Sequence, residues 1–187
     1  MHPIITLTTD FGNNDPFVGI MKGIILNICP KAKIVDLAHS ISPQNLLQTA
    51  YILKASVPYF PSDTIHVMVV DPGVGGNRKG IAIQTEKYFF VGPDNGVFSP
   101  FFENFKAVEI TNEDIFLKPT SATFHGRDIF APTAAWIAKG KPFKELGKVL
   151  KKPTYLDLPQ AIFEKGSLKG EIIYRDHFGN LISNISK

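Results

Sequence analysis

A single cysteine, Cys29, in a chain of 187 residues excludes an internal disulfide and leaves no thiol set for a cysteine-based metal site. Cys29 sits in an apolar helical pattern and reads as core. No apolar run approaches the roughly 20 residues that span a bilayer. No excess of one charge sign stands out either: 20 Lys and Arg face 17 Asp and Glu, for a net charge of +3. The lysines are scattered, densest over Lys139–Lys152, with no interleaved aromatic platform, so a nucleic-acid surface is not expected. His2, His39, His66 and His177 lack ligand-like spacing, and no metal site is expected. The one glycine-rich loop fits neither GxxxxGK[ST] nor GxGxxG, so neither phosphate-cradling fingerprint is supported. The opening Met1-His2-Pro3-Ile4-Ile5 reads as a first strand and not as a basic-then-apolar leader. A cytoplasmic protein is the expectation.

What is present is an ordinary globular mixture, 44% hydrophobic and 20% charged. Strand and helix signals alternate through the first two-thirds. Ile4–Thr9 is a β-branched run closed by Asp10-Phe11-Gly12. Asn14 or Asp15 then suits a helix cap with Pro16 in the first turn, and that helix stops before Pro30. Lys33–Ala38 is a second strand. A second helix is expected from Ser42-Pro43 to Pro58, with Leu46, Leu47, Ala50, Leu53 and Val57 at helical spacing. Thr64–Val70 is a third strand, 80–84 and 88–91 pair as a hairpin, and Arg127–Lys139 is a last helix. The βαβαβ opening implies an α/β fold, a layered and largely parallel sheet. Residues 1–150 form this N-terminal domain. Lys148–Pro153 is basic and linker-like, 151–165 is read as linker, and 166–187 as the start of a small β-rich C-terminal domain, with a strand at Gly170–Tyr174.

Three apolar runs end in residues of catalytic type. The most informative is Val69-Val70-Asp71-Pro72-Gly73-Val74-Gly75-Gly76-Asn77-Arg78, where a strand runs into a carboxylate, a glycine-rich turn and an arginine. Ligands of open α/β sheets bind just beyond the carboxyl ends of strands. Thr8-Thr9-Asp10-Phe11-Gly12 and Thr123-Phe124-His125-Gly126-Arg127-Asp128 end in the same manner. If the first and third strands are parallel neighbours, Asp10 and Asp71 share an edge, and base, acid and arginine converge in one crevice. Plainer roles stay open. Asp71 and Asp10 suit turns, His125 suits a helix cap, and Arg127-Asp128 reads foremost as an ion pair at a helix start.

These segments, with Pro93-Asp94-Asn95-Gly96 and Asp176-His177-Phe178-Gly179-Asn180, stand in the order found in one family. The chain resembles an S-adenosylmethionine hydroxide adenosyltransferase, a hydrolase related to the fluorinase and chlorinase enzymes. The resemblance implies an enzyme splitting S-adenosylmethionine with water into adenosine and methionine. S-adenosylmethionine is then a substrate, no cofactor is needed, and the assembly is a homotrimer with sites between subunits. It assigns water activation to Asp71, Arg78 and His125 and the ribose hydroxyls to Asp10. Asp15, Thr123 and Phe124 would line the pocket from the N-terminal side, while Asp176, Phe178 and Asn180 grip the methionine and adenine portions. Phe11, Phe124 and Phe178 would supply apolar walls. The family's C-terminal domain runs further than Lys187, so a nucleoside-binding remnant is one alternative. A halide adenosyltransferase is another, which the Asp71 and His125 pair and the lack of the halogenases' loop insertion argue against.

Overall fold

The computed structural model describes residues 2–185 of the protein. A seven-stranded sheet has the order β2-β1-β3-β5-β4-β6-β7. Its parallel half comprises β2 (Lys33–Ala38), β1 (Ile4–Thr9), β3 (Thr64–Val69) and β5 (Tyr88–Pro93). The antiparallel half continues through β4 (Gly80–Gln84), β6 (Lys106–Ile110) and β7 (Gly147–Val149). The expected hairpin is β4–β5.

Side chains alternate across a strand, and the sheet is therefore buried on both faces. Ile5, Leu7, Ile65, Val67 and Val69 pack beneath α1 (Phe17–Ile28) and α3 (Ala131–Ala138). Met68, Val70 and Phe90 pack beneath α2 (Leu46–Ser56) with Ala50, Leu53 and Val57. The result is a three-layer α/β arrangement, in which α3 is buried all round over Ala131–Ala135 and α1 buries one stripe. The α1 stripe is Val18, Met21 and Ile25.

The helix ends differ from expectation in three places, each for a local reason. Pro16 is itself the N-cap of α1, and no side chain of Asn14 or Asp15 caps it. Helix α2 begins at Leu46 and not at Ser42, because Gln44 takes a left-handed conformation (φ 62°) that stops a helix from passing through it. Asn45 caps instead, accepting from Gln48 N at 2.9 Å. The last helix opens with a π-turn over Gly126–Phe130 before α3. Pro132 has no N–H for the Asp128 carbonyl, which accepts from Leu117 N instead at 2.9 Å.

The stretch read as basic linker is partly strand. Lys148 lies in β7, opposite Glu109 of β6. Two antiparallel hairpins follow, β8 (Ile162–Glu164) with β9 (Ser167–Lys169) and β10 (Ile172–Arg175) with β11 (Leu181–Ser183). β8 thus falls inside 151–165. β10 lies against α2, burying Ile173, and the Tyr51 hydroxyl donates to the Pro159 carbonyl at 2.9 Å. No described helix is long and apolar enough to cross a membrane.

Candidate active site

Parallel pairing of β1 and β3 sets Thr9 opposite Val69. Asp10 and Asp71 consequently leave the sheet at the same carboxyl edge. The turn after β3 folds Arg78 back onto Asp71: Arg78 Nε stands 2.9 Å from both carboxylate oxygens, and Nη2 also bonds Oδ2. Two glycines make this possible. A Cβ at Gly73 would stand 2.9 Å from Arg78 Cγ. Gly75 sits at φ +75°, and a Cβ there would collide with the Ala122 carbonyl oxygen. The second close approach lets the loop lie against the segment that carries Thr123 and His125. The pair is sheltered, with side-chain exposures of 6% for Asp71 and 12% for Arg78, and the guanidinium lies 5.2 Å above the Phe130 ring.

His125 completes the array, its Nδ1 2.7 Å from Arg78 Nη2. A guanidinium has donors only, so Nδ1 must accept and the neutral ring carries its proton on Nε2. Burial, followed by the Arg78 charge, holds the imidazole below its ordinary value, and Asp71 and Asp128 offset this only in part. His125 is the N-cap residue of the π-turn, but its side chain makes no capping bond. It faces a small cleft of about 120 Å³ lined by Asp10, Phe11, Gln44, Asp71, Phe124 and His125, among others.

Within that cleft Asp10 accepts from Gln44 N at 2.9 Å through Oδ2, which ties the end of β1 to the loop before α2 and leaves Oδ1 to offer. Phe124 packs edge-on to Phe11 and Phe17, with ring centroids 5.9 and 5.4 Å away. Thr123 lines the cleft, its hydroxyl 3.1 Å from that of Ser121. Arg127 pairs with the wholly buried Asp128 at 2.5 Å, the structural role expected of it.

The remaining candidates lie apart. Asp15 is exposed and does not line the cleft. Asp176, Phe178 and Asn180 form the turn between β10 and β11. There the Asp176 carboxylate accepts from Phe178 N, Asn180 N and Asn180 Nδ2 at 2.9, 2.8 and 2.8 Å. Those bonds, first that of the Asn180 side chain, hold Asp176 below the usual carboxylate range. Phe178 is 87% exposed. This second cluster is ordered but does not line the cleft within one chain. Among the described residues, no group of three or more His, Cys, Asp and Glu is placed to hold a metal ion.

Gln44 is a polar cleft residue that the sequence does not single out. Ser42-Pro43-Gln44-Asn45 announces a turn, but its contact with Asp10, 34 residues away, depends on strand pairing.

A family model described as SAM hydroxide adenosyltransferase N-terminal domain matches residues 5–147. A protein of Methanocaldococcus jannaschii named (R)-S-adenosyl-L-methionine hydrolase is 44% identical, over 98% of this chain and 67% of its own length. A protein of Salinispora tropica with the same name is 38% identical, over 96% of this chain and 70% of its own. A fluorinase of Actinoplanes is more distant, at 26% identity over 100% of this chain and 72% of its own. The crystal structure of an uncharacterized conserved protein from Thermotoga maritima superposes with a TM-score of 0.93 at 38% identity, over 97% of this chain and 71% of that one.

Proposed function

The chain belongs to the SAM hydroxide adenosyltransferase family, and we propose that it hydrolyses S-adenosyl-L-methionine to adenosine and L-methionine by attack of water at the ribose 5′ carbon. The observation that carries this reading is the linked Asp71–Arg78–His125 array at the carboxyl edge of the sheet. The relatives' names specify the (R) sulfonium epimer, and we extend that preference to this chain.

Attack on a sulfonium expels a neutral thioether, so the leaving group needs no proton. The difficulty lies with the nucleophile, since water has a pKa of about 15.7. In this reading Asp71 takes the proton. His125 Nδ1 is committed to Arg78 and its Nε2 carries a hydrogen, so the ring serves as a donor that holds the attacking oxygen. Asp71 has two oxygens with about four lone-pair sites, and Arg78 takes up three of them. The oxygen–C5′ bond forms as the C5′–sulfur bond breaks, and the electron pair goes to sulfur. Hydroxide and sulfonium cancel each other's charge, so apolar walls such as Phe11 and Phe124 favour the transition state over separated ions. Asp10 suits the ribose diol, because a carboxylate accepts two hydrogen bonds side by side.

A halide would meet the Asp71 carboxylate at the same place, which argues against the halogenating alternative. A cleft of about 120 Å³ is below the roughly 300 Å³ at which ligand pockets begin. That shortfall supports a site completed across a subunit boundary, in which the Asp176, Phe178 and Asn180 turn of one copy covers the cleft of another. A homotrimer is the proposed assembly.

Two experiments test this. Asp71→Asn and His125→Ala are each expected to lower turnover by about 100- to 10,000-fold while adenosine still raises the melting temperature. Unchanged turnover in both would refute the assigned roles, and stabilisation by substrate without product in the unaltered chain would favour a binder. Incubation with a mixture of sulfonium epimers should leave the (S) epimer behind.

A further inference from the structure

The Pro93-Asp94-Asn95-Gly96 turn ends β5 at the same sheet edge as Asp71, outside the catalytic array. It reaches in two directions. Inward, Asn95 Nδ2 donates to the Val70 carbonyl at 2.9 Å. Val70 lies one residue past β3, after the last residue paired with β1, and its peptide carries Asp71. Asn95 Oδ1 accepts from Val97 N at 3.3 Å and closes the turn.

Outward, the turn grips the segment that leads to the hairpins. Asp94 Oδ1 accepts from Thr154 N at 2.8 Å, and Ser99 Oγ accepts from Leu156 N at 2.8 Å. Gly96, at φ +90°, lies so close that a Cβ would stand 2.7 Å from Leu156 N. Leu156 and Leu158 then pack into the core under α2, and the chain continues to β8 and beyond.

We propose that Asn95 and Asp94 are positioning residues for the reaction. Asn95 fixes the backbone that presents Asp71, and Asp94 fixes the segment that presents the Asp176–Asn180 turn. This role rests on the hydrolase reading. A misplacement near 1 Å in a reacting group costs about 100-fold in rate. A strand end held by one side-chain bond is open to such a displacement when that bond is removed.

The test separates the two directions. Asn95→Asp keeps the oxygen that accepts from Val97 N and removes the donor to Val70. Its kcat is expected to fall by about 10- to 100-fold with KM nearly unchanged. The unpaired Val70 carbonyl should lower the melting temperature while the protein stays folded at the assay temperature. Asp94→Ala is expected to raise KM more than it lowers kcat. Asp94→Asn, which keeps an acceptor for Thr154 N, should restore it. Amide hydrogen exchange reads the same tethers without turnover: Asn95→Asp should speed exchange in 70–76, and Asp94→Ala in 154–158. Losses of kcat that merely follow loss of folded protein, or exchange that rises equally in both segments, would overturn the proposal. An unaltered chain without turnover contradicts the hydrolase reading instead, and the exchange pattern still decides whether the two tethers exist.

Discussion

His66 lies at the centre of β3 with no exposed surface and should make folding stability depend on pH. Its Nδ1 bonds the Thr6 hydroxyl at 2.8 Å. Among the described residues its buried Nε2 has no hydrogen-bond partner, and it lies among the rings of Phe60, Tyr88 and Phe90. The imidazolium carries a hydrogen on both ring nitrogens, and the one on Nε2 has no acceptor among the described residues; burial of that charge lowers the imidazole from 6.5 to about 4. Because the folded value is depressed, the unfolded chain binds the proton first as pH falls. The stabilising difference is complete above about pH 6.5 and is lost as pH falls toward 4. Each tenfold drop in proton affinity is worth about 1.4 kcal/mol, which makes the loss between pH 7 and pH 4 about 3 kcal/mol. For a chain of this size that is roughly 6–12 °C in melting temperature. The assay is urea unfolding of the protein and of His66→Phe at pH 7, 5 and 4. The variant loses the Thr6 bond at every pH, so that cost cancels in the comparison, as do contributions from other titrating groups. Stability of the unaltered protein should fall more steeply than that of the variant. Parallel pH profiles would mean that His66 does not carry this pH dependence.

The other expectations concern the cleft and its loop. Arg78→Lys keeps a charge but cannot bridge both Asp71 oxygens and His125 Nδ1 together, and kcat should fall about 100-fold by steady-state assay. Gly75→Ala meets both the positive φ and the Ala122 carbonyl; a stability loss of about 1–3 kcal/mol and loss of turnover should appear together in melting and activity assays. Phe130→Ala removes a fully buried ring beneath Arg78, and chemical denaturation should show a loss of about 3–5 kcal/mol.

Much of the fold was legible because its signals are local. The β-branched runs 4–9 and 64–69, with proline and glycine punctuation, announce strands, and the helical spacing of Leu46, Ala50 and Leu53 announces a helix. The antiparallel strands β6 and β7 were not seen, since Gly147-Lys148-Val149 is three residues long and its lysine reads as linker. The Asp10 and Asp71 edge was legible because the two strand ends become neighbours once parallel pairing is granted. The bond between Arg78 and His125 spans 47 residues and depends on how the Gly75 loop meets the 120s segment, which no sequence spacing encodes. The same holds for the Asn95–Val70 bond. Phe178 shows a further limit. Expected as a pocket wall, it projects into solvent from a turn in a single chain, and only the proposed neighbouring subunit would give it a wall to complete.

In the proposed reaction, water held by Asp71, Arg78 and His125 attacks the 5′ carbon of S-adenosylmethionine. Incubating the protein with this substrate in water enriched in heavy oxygen, and weighing the products by mass spectrometry, tests it most directly. One heavy oxygen is expected in adenosine and none in methionine. Adenosine without the label, or no adenosine from a folded and substrate-stabilised protein, would contradict the proposed attack.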